Sequence, residues 1–163
     1  MLVVIAHLKG SERAYFSTVE SWICSHELHK LLRRTIFNVL AGNSDGHAKN
    51  LSLLYHTDGA IRLAPFYDLI CTRAIEHIDE RLAFSIGTQR NPSLITAEHW
   101  NAMAKECGIN PRFVERQVRD MAVKLTQQTG PVRQKFELQF GNYDALQRIQ
   151  QVVLSQTRRA LAR

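Results

Sequence analysis

The sequence predicts one mainly α-helical domain interrupted by a single β-hairpin, and three observations carry that prediction. Apolar residues recur at three- and four-residue spacing through "SHELHKLLRRTIFNVLAG" (25–42), which marks a long buried helix. Asp58-Gly59 stands between the short apolar runs "LSLLY" (51–55) and "IRLAP" (61–65), a strong hairpin signal. From residue 96 onward, helix start and stop residues alternate with amphipathic stretches and leave little room for strands.

In chain order, Ser25 is placed to cap the first helix, and Leu28, Leu31, Leu32, Ile36, Val39 and Leu40 form its inward face. Gly42 and Asn43 follow as its C-terminal stop. After the hairpin, "PFYDL" places Asp68 just beyond the second strand. A loop-rich segment is expected from about 70 to 95, with one short strand at "RLAFSI" (81–86). Thr96 caps a helix to Glu106 that Gly108 ends. Asn110 and Pro111 start the next helix, which the Gly130-Pro131 pair is expected to close. A last helix covers roughly 143–161, with Ala145, Ile149, Val152, Val153 and Leu161 facing inward.

The 163 residues suffice for one domain with a real core. With 45% hydrophobic and 22% charged residues, the profile is that of a water-soluble globular chain. A net charge of +6 admits an anionic partner, though a mild basic excess is common. Cys24, Cys71 and Cys107 are scattered and odd in number, which suits reduced thiols in a cytoplasmic protein. No apolar run reaches the length needed to cross a bilayer, and "MLVVIAHL" lacks the basic flank and cleavage site of a signal peptide. No membrane partner is expected.

Chemistry concentrates in "GNSDGHAKN" (42–50), directly after the buried helix. Asp45 and Asn50 stand at D-x-x-x-x-N spacing, and Asp68 follows across the hairpin. Phosphoryl transfer uses such parts: one carboxylate near the attacking hydroxyl, and an amide with a second carboxylate for Mg²⁺. Lys49 and His47 are candidates for balancing charge on the transferred group. The spacing alone is common, and turns favour Asn, Ser, Asp and Gly in any case. Asp68 also admits a helix-cap role, His47 the ordering of the loop, and Lys49 simple solvation.

"NVLAGNSDGHAKNLSLL" followed by "GAIRLAPFYDLICT" resembles the C-terminal lobe of the HipA family, serine/threonine kinases that act as toxins of HipB–HipA toxin–antitoxin systems. The resemblance implies that Asp45 is the catalytic-loop aspartate and that Asn50 and Asp68 are metal ligands. His47 and Lys49 match the histidine and lysine of the motif, with phosphate contact or loop order as their implied roles. It further implies Mg²⁺ and ATP as cofactors, a protein Ser/Thr as substrate, and a HipB-like antitoxin, with DNA through it, as partner. The similarity spans about residues 28–75: 1–25 match poorly, 26–75 hold the core motifs, and 96–163 form a helical remainder without a motif.

The sequence departs from a complete kinase. It has no glycine-rich phosphate-covering loop and no V-A-I-K-like strand, and only some 27 residues precede the first helix. A C-lobe without its N-lobe is therefore expected, incompetent alone unless a separately encoded N-lobe completes it. Two rival readings stay open. D-x-H-x-x-N (Asp45, His47, Asn50) also resembles the catalytic loop of aminoglycoside and choline kinases, and a non-catalytic remnant could bind an antitoxin or DNA. "CSHELH" (24–29) has no second cluster at zinc-site spacing and reads as a helix start. Trp22 and Trp100 read as core or interface anchors. Arg133, Lys135, Arg148, Arg158, Arg159 and Arg163 read as a solvated basic face.

Overall fold

A computed structural model describes residues 2–4 and 25–162, without the side chains of the first three or of residues 25 and 26. The first helix, α1 (Ser25–Ala41), runs through the core: Leu31, Leu32 and Ile36 are wholly buried, Val39 and Leu40 nearly so, and Leu28 lies partly buried. Each such side chain contributes about 1.5–3 kcal/mol on burial. The helix includes Ser25 as its first residue rather than following it. Its C-terminus closes as expected. Gly42 takes φ +76°, and the Asn43 N–H reaches back to the Asn38 carbonyl at 2.8 Å, the longer bond of a Schellman motif. An added Cβ at Gly42 would also strike the Val152 side chain, so both backbone and space demand glycine.

The hairpin pairs β2 (Leu53–Tyr55) with β3 (Ile61–Leu63), Leu54 opposite Arg62. Its turn uses Gly59 at φ +81°, and the Asp58 carboxylate accepts the Ala60 N–H at 3.0 Å. A third strand, β1 (Leu2–Val4), adds antiparallel to the other side of β2, so the expected hairpin is the inner part of a three-stranded sheet. The buried Glu27 ties α1 to that sheet: one carboxylate oxygen accepts the Leu63 N–H at 2.8 Å, and the other meets Lys30 Nζ at 2.7 Å.

The remaining helices are α2 (Ala97–Glu106), α3 (Pro111–Phe140) and α4 (Asp144–Leu161). In α2, the Thr96 N–H donates to His99 Nδ1 at 3.1 Å, and Gly108 at φ +66° ends the helix. Asn110 caps α3 by accepting the Arg112 N–H at 3.0 Å, with Pro111 in the first turn. Trp100, Met103, Val114, Val118 and Ala122 are buried in the same core cluster as the α1 stripe. Cys107 is buried and Cys71 half-buried, both as free thiols, while Cys24 and Trp22 lie outside the described residues. No described helix is long and apolar enough to cross a membrane.

Three expectations need correcting. Gly130-Pro131 does not close α3, which continues to Phe140 and stops at Gly141 with φ +91°. Proline forfeits one ladder bond there, but α4 packs antiparallel alongside and holds the segment. Gly130 lies beside Gln150, and Arg133 donates to the Gln150 side-chain Oε1 at 2.6 Å. Ala145 is exposed, because α4 begins at a tip where α3 itself has left the core; Leu138 is 90% exposed. "RLAFSI" forms no strand, only a bridge between Ile86 and Gln89 with a Leu82–Arg90 bond beside it. Gly87 turns the chain there at φ +58°, pressed against the His99 carbonyl of α2.

After β3 the chain returns to the end of α1 and is pinned by Thr72, which is buried. Its hydroxyl donates to the Gly42 carbonyl at 3.2 Å, accepts the Ser44 N–H at 2.8 Å and meets the Ser44 hydroxyl at 2.7 Å. The Arg73 N–H adds a bond to the Gly42 carbonyl, and the Ser44 carbonyl accepts the Ala83 N–H.

Thr72→Val keeps the shape and strands the Ser44 N–H, so denaturant unfolding is expected to show a loss of about 1–3 kcal/mol. Unchanged stability would mean the pin is ornamental. Pro131→Ala restores a donor inside a continuous helix and is expected to raise stability by up to about 3 kcal/mol; a fall would contradict an unbroken α3.

Candidate functional site

Helix α1 ends at a glycine that turns the chain back, and the loop 43–50 therefore starts from a fixed point. Asn43 organises it from within. Its amide Oδ1 accepts the Asp45 N–H at 3.1 Å, and its Nδ2 donates to Asn38 Oδ1 at 3.3 Å and to the Asp68 carbonyl at 3.0 Å. The Asp45 carbonyl accepts the His47 N–H at 2.7 Å, and a single 3₁₀ turn covers Ala48–Asn50. Gly46 packs directly on the Asn38 amide, leaving no room for a side chain.

Asn50 and Asp68 meet. Asn50 Nδ2 donates to Asp68 Oδ2 at 2.6 Å and also to the Asp45 carbonyl at 3.2 Å. Asn50 is buried, whereas Asp68 is exposed and sits at φ +55°, a left-handed conformation that aspartate adopts more readily than most residues. The Asp45 side chain is 65% exposed, and its carboxylate stands 3.6 Å from His47 Nε2. Lys49 is exposed, with no ion pair among the described residues, and its carbonyl accepts the Tyr67 hydroxyl at 3.1 Å. The five residues singled out in the sequence thus share one locality: four in direct or near contact with a partner from the set, and Lys49 beside Asn50 in the turn.

A buried cation lies beneath the loop. Arg34, on α1, directs its guanidinium toward the carbonyls of Gly46 and Asn50, each at 3.4 Å, and stacks over Phe66 at 5.8 Å. Arg34, Asn38 and Thr72 were missed by sequence reading. A signal existed for the helix residues: Glu27, Arg34 and Asn38 fall at three- and four-residue steps from Leu31, on the inward face. Thr72 had none, because its partners lie some thirty residues away in the chain.

Around Asp68 the surface is apolar. Tyr67, Leu69, Ile70, Ile75 and Ile78 are each 42–50% exposed, a concentration of large apolar side chains left at the surface within twelve residues of chain. Cys71 borders it, and burial pushes its thiol above the ordinary range. Directly after Ile78, Arg81 holds the pKa of the Asp79 carboxyl at about 2 through a forked hydrogen bond.

The chain is similar to known proteins. The sequence model of the HipA-like C-terminal domain matches residues 6–129, more than half of the chain and well beyond the 28–75 in which motifs were legible. The candidate kinase Y4mE of Sinorhizobium fredii is 37% identical over 92 residues, 56% of this chain and 22% of that protein. The serine/threonine-protein kinase toxin HipA of Shewanella oneidensis is 32% identical over 79 residues, 48% of this chain and 18% of that one. The solved complex of HipA, HipB and operator DNA from Shewanella oneidensis MR-1 contains a chain with the same fold, at TM-score 0.78 and 22% identity over 93% of this chain and 35% of that one. The chain therefore spans well under two thirds of the length of these relatives. It belongs to the HipA-like C-terminal domain family.

Proposed function

We propose that the loop 43–50 and Asp68 form the phosphoryl-transfer half of a serine/threonine kinase, acting with Mg²⁺–ATP on a protein hydroxyl. The observation that carries this reading is the 2.6 Å contact between Asn50 and Asp68, which joins an amide and a carboxylate 18 residues apart at the edge of an exposed loop. Because Nδ2 faces Asp68, the Asn50 side-chain oxygen Oδ1 is the atom left to take a cation, next to a carboxylate. That donor set fits magnesium, which favours oxygen ligands and binds through few protein groups plus phosphate and water. The described residues hold no cluster of three His, Cys, Asp or Glu side chains, so a transition-metal cage is not the better match. When bound, the ion would neutralise charge on the phosphates.

The chain's own residues have distinct tasks. Asp45, exposed and oriented through the Asn43 amide, accepts the proton of the attacking hydroxyl. Asn50 and Asp68 hold the cation. Lys49 offers its ammonium to the transferred phosphoryl group, and His47 orders the Asp45 side chain. The exposed apolar residues around Asp68 receive the polypeptide that covers the nucleotide. A HipB-like partner, with DNA through it, belongs to the same proposal, since the Shewanella HipA was solved with both. The relative named as a serine/threonine-protein kinase favours a protein acceptor over an aminoglycoside or choline.

Calorimetry with ATP tests the site. Binding is expected to require Mg²⁺ and to weaken about tenfold or more in Asp68→Asn. Binding that ignores Mg²⁺ and Asp68 would overturn the assignment. The 163 residues alone, lacking a glycine-rich phosphate loop, are expected to turn over orders of magnitude below the roughly 1–100 s⁻¹ of kinases. Asp45→Asn is expected to remove residual transfer while leaving nucleotide binding intact. A radiolabel assay at typical kinase rates, or binding lost with Asp45, would contradict these roles.

A further inference from the structure

A cavity of about 440 Å³ opens between α1, α2, α3 and α4, and none of Asp45, His47, Lys49, Asn50 or Asp68 lines it. We propose that it binds a small organic phosphate monoester, with the apolar body inside and the phosphate at the rim. The size lies within the range of small-molecule sites.

Its floor is apolar: Val39 and Leu40 from α1, Trp100 from α2 and Val118 from α3 are all buried. Its rim is cationic. Four arginines line it, Arg112, Arg116, Arg119 and Arg159, against the single carboxylate of Glu115, which already accepts the Asn101 amide at 2.9 Å. Arg112, Arg116 and Arg119 recur at steps of four and three along one face of α3. None of those three has an ion-pair partner among the described residues. Arg116 lies over the Phe113 ring at 5.5 Å, and Arg159 is steadied by the Ser93 hydroxyl at 2.7 Å.

The second observation is a buried donor without an acceptor. Gln156 lines the cavity at 3% exposure, and its Nε2 has no hydrogen-bond partner among the described residues. Such a group is costly unless something satisfies it, and the cavity is the unfilled space beside it. Apolar floor, amide donor and arginine rim together describe a ligand with a ring or short chain, one acceptor and a terminal anion. A net rim charge of several arginines over one glutamate favours a phosphate dianion over a monocarboxylate.

Titration of the ¹⁵N-labelled chain with p-nitrophenyl phosphate tests this by NMR. The expected result is saturable movement of the Gln156 side-chain amide signals, with affinity about tenfold or more above that of inorganic phosphate or 4-nitrobenzoate. Arg116→Gln with Arg119→Gln, both exposed and so tolerated by the fold, is expected to weaken binding about tenfold or more, whereas Asp68→Asn leaves it unchanged. Unmoved Gln156 signals, equal binding of inorganic phosphate or 4-nitrobenzoate, indifference to the arginine pair, or loss with Asp68→Asn would each overturn the proposal. Much tighter binding of a phosphotyrosine peptide would also overturn it in favour of a protein partner. Because Asp68→Asn separates the two sites, failure here is distinguishable from failure of the kinase reading.

Discussion

The Asn50–Asp68 hydrogen bond is the constraint around which the front of the molecule is arranged. A bond from an amide to a carboxylate contributes about 1.5–3 kcal/mol. Holding Asp68 at φ +55° costs on the order of 1–3 kcal/mol before the tolerance of aspartate is allowed for. The two terms are comparable, so the contact can sustain the strained backbone. For the residues to meet at 2.6 Å, the loop must leave α1 at a fixed angle and the hairpin must deliver its return strand to the same place. Gly42 meets the first demand, and the Glu27 bond to β3 and the Thr72 node meet the second.

The electrostatic layering follows from the same geometry. The Arg34 guanidinium lies beneath the loop, against backbone carbonyls, while the carboxylates of Asp45 and Asp68 face solvent above it. A fixed positive charge under a loop that gathers negative charge lowers the cost of holding two carboxylates and a polyanion together. Flanking apolar residues, Leu69 and Ile70 among them, provide a place from which a covering element can exclude water. The arginine-rimmed cavity between the helices has its own floor and its own charge, and it owes nothing to this layering.

Local signals were legible in the sequence wherever the cause was local. The α1 stripe, its glycine stop, the Asp58-Gly59 turn and the caps at Thr96 and Asn110 all read correctly, because each depends on neighbours within a few residues. The grouping of Asp45, Asn50 and Asp68 was also legible through motif resemblance, although their spacing alone left it open. What failed was tertiary. Gly130-Pro131 is a stop signal that packing against α4 overrides, and the pairing of β1 with β2 requires two segments some fifty residues apart. Ala145 has a core-like side chain at a place the core does not reach. Arg34 and Asn38, polar residues on an inward stripe, were the visible but unread hint that something besides apolar packing occupies the end of α1.

Paramagnetic relaxation offers the most direct test of the account. With ATP present, Mn²⁺ titrated in place of Mg²⁺ is predicted to broaden the Asn50 side-chain amide and the backbone signals of Asp45 and Asp68 first, and those around Gln156 last. Early broadening elsewhere, or none at the loop, would contradict the claim that Asn50 and Asp68 are a cation-binding pair.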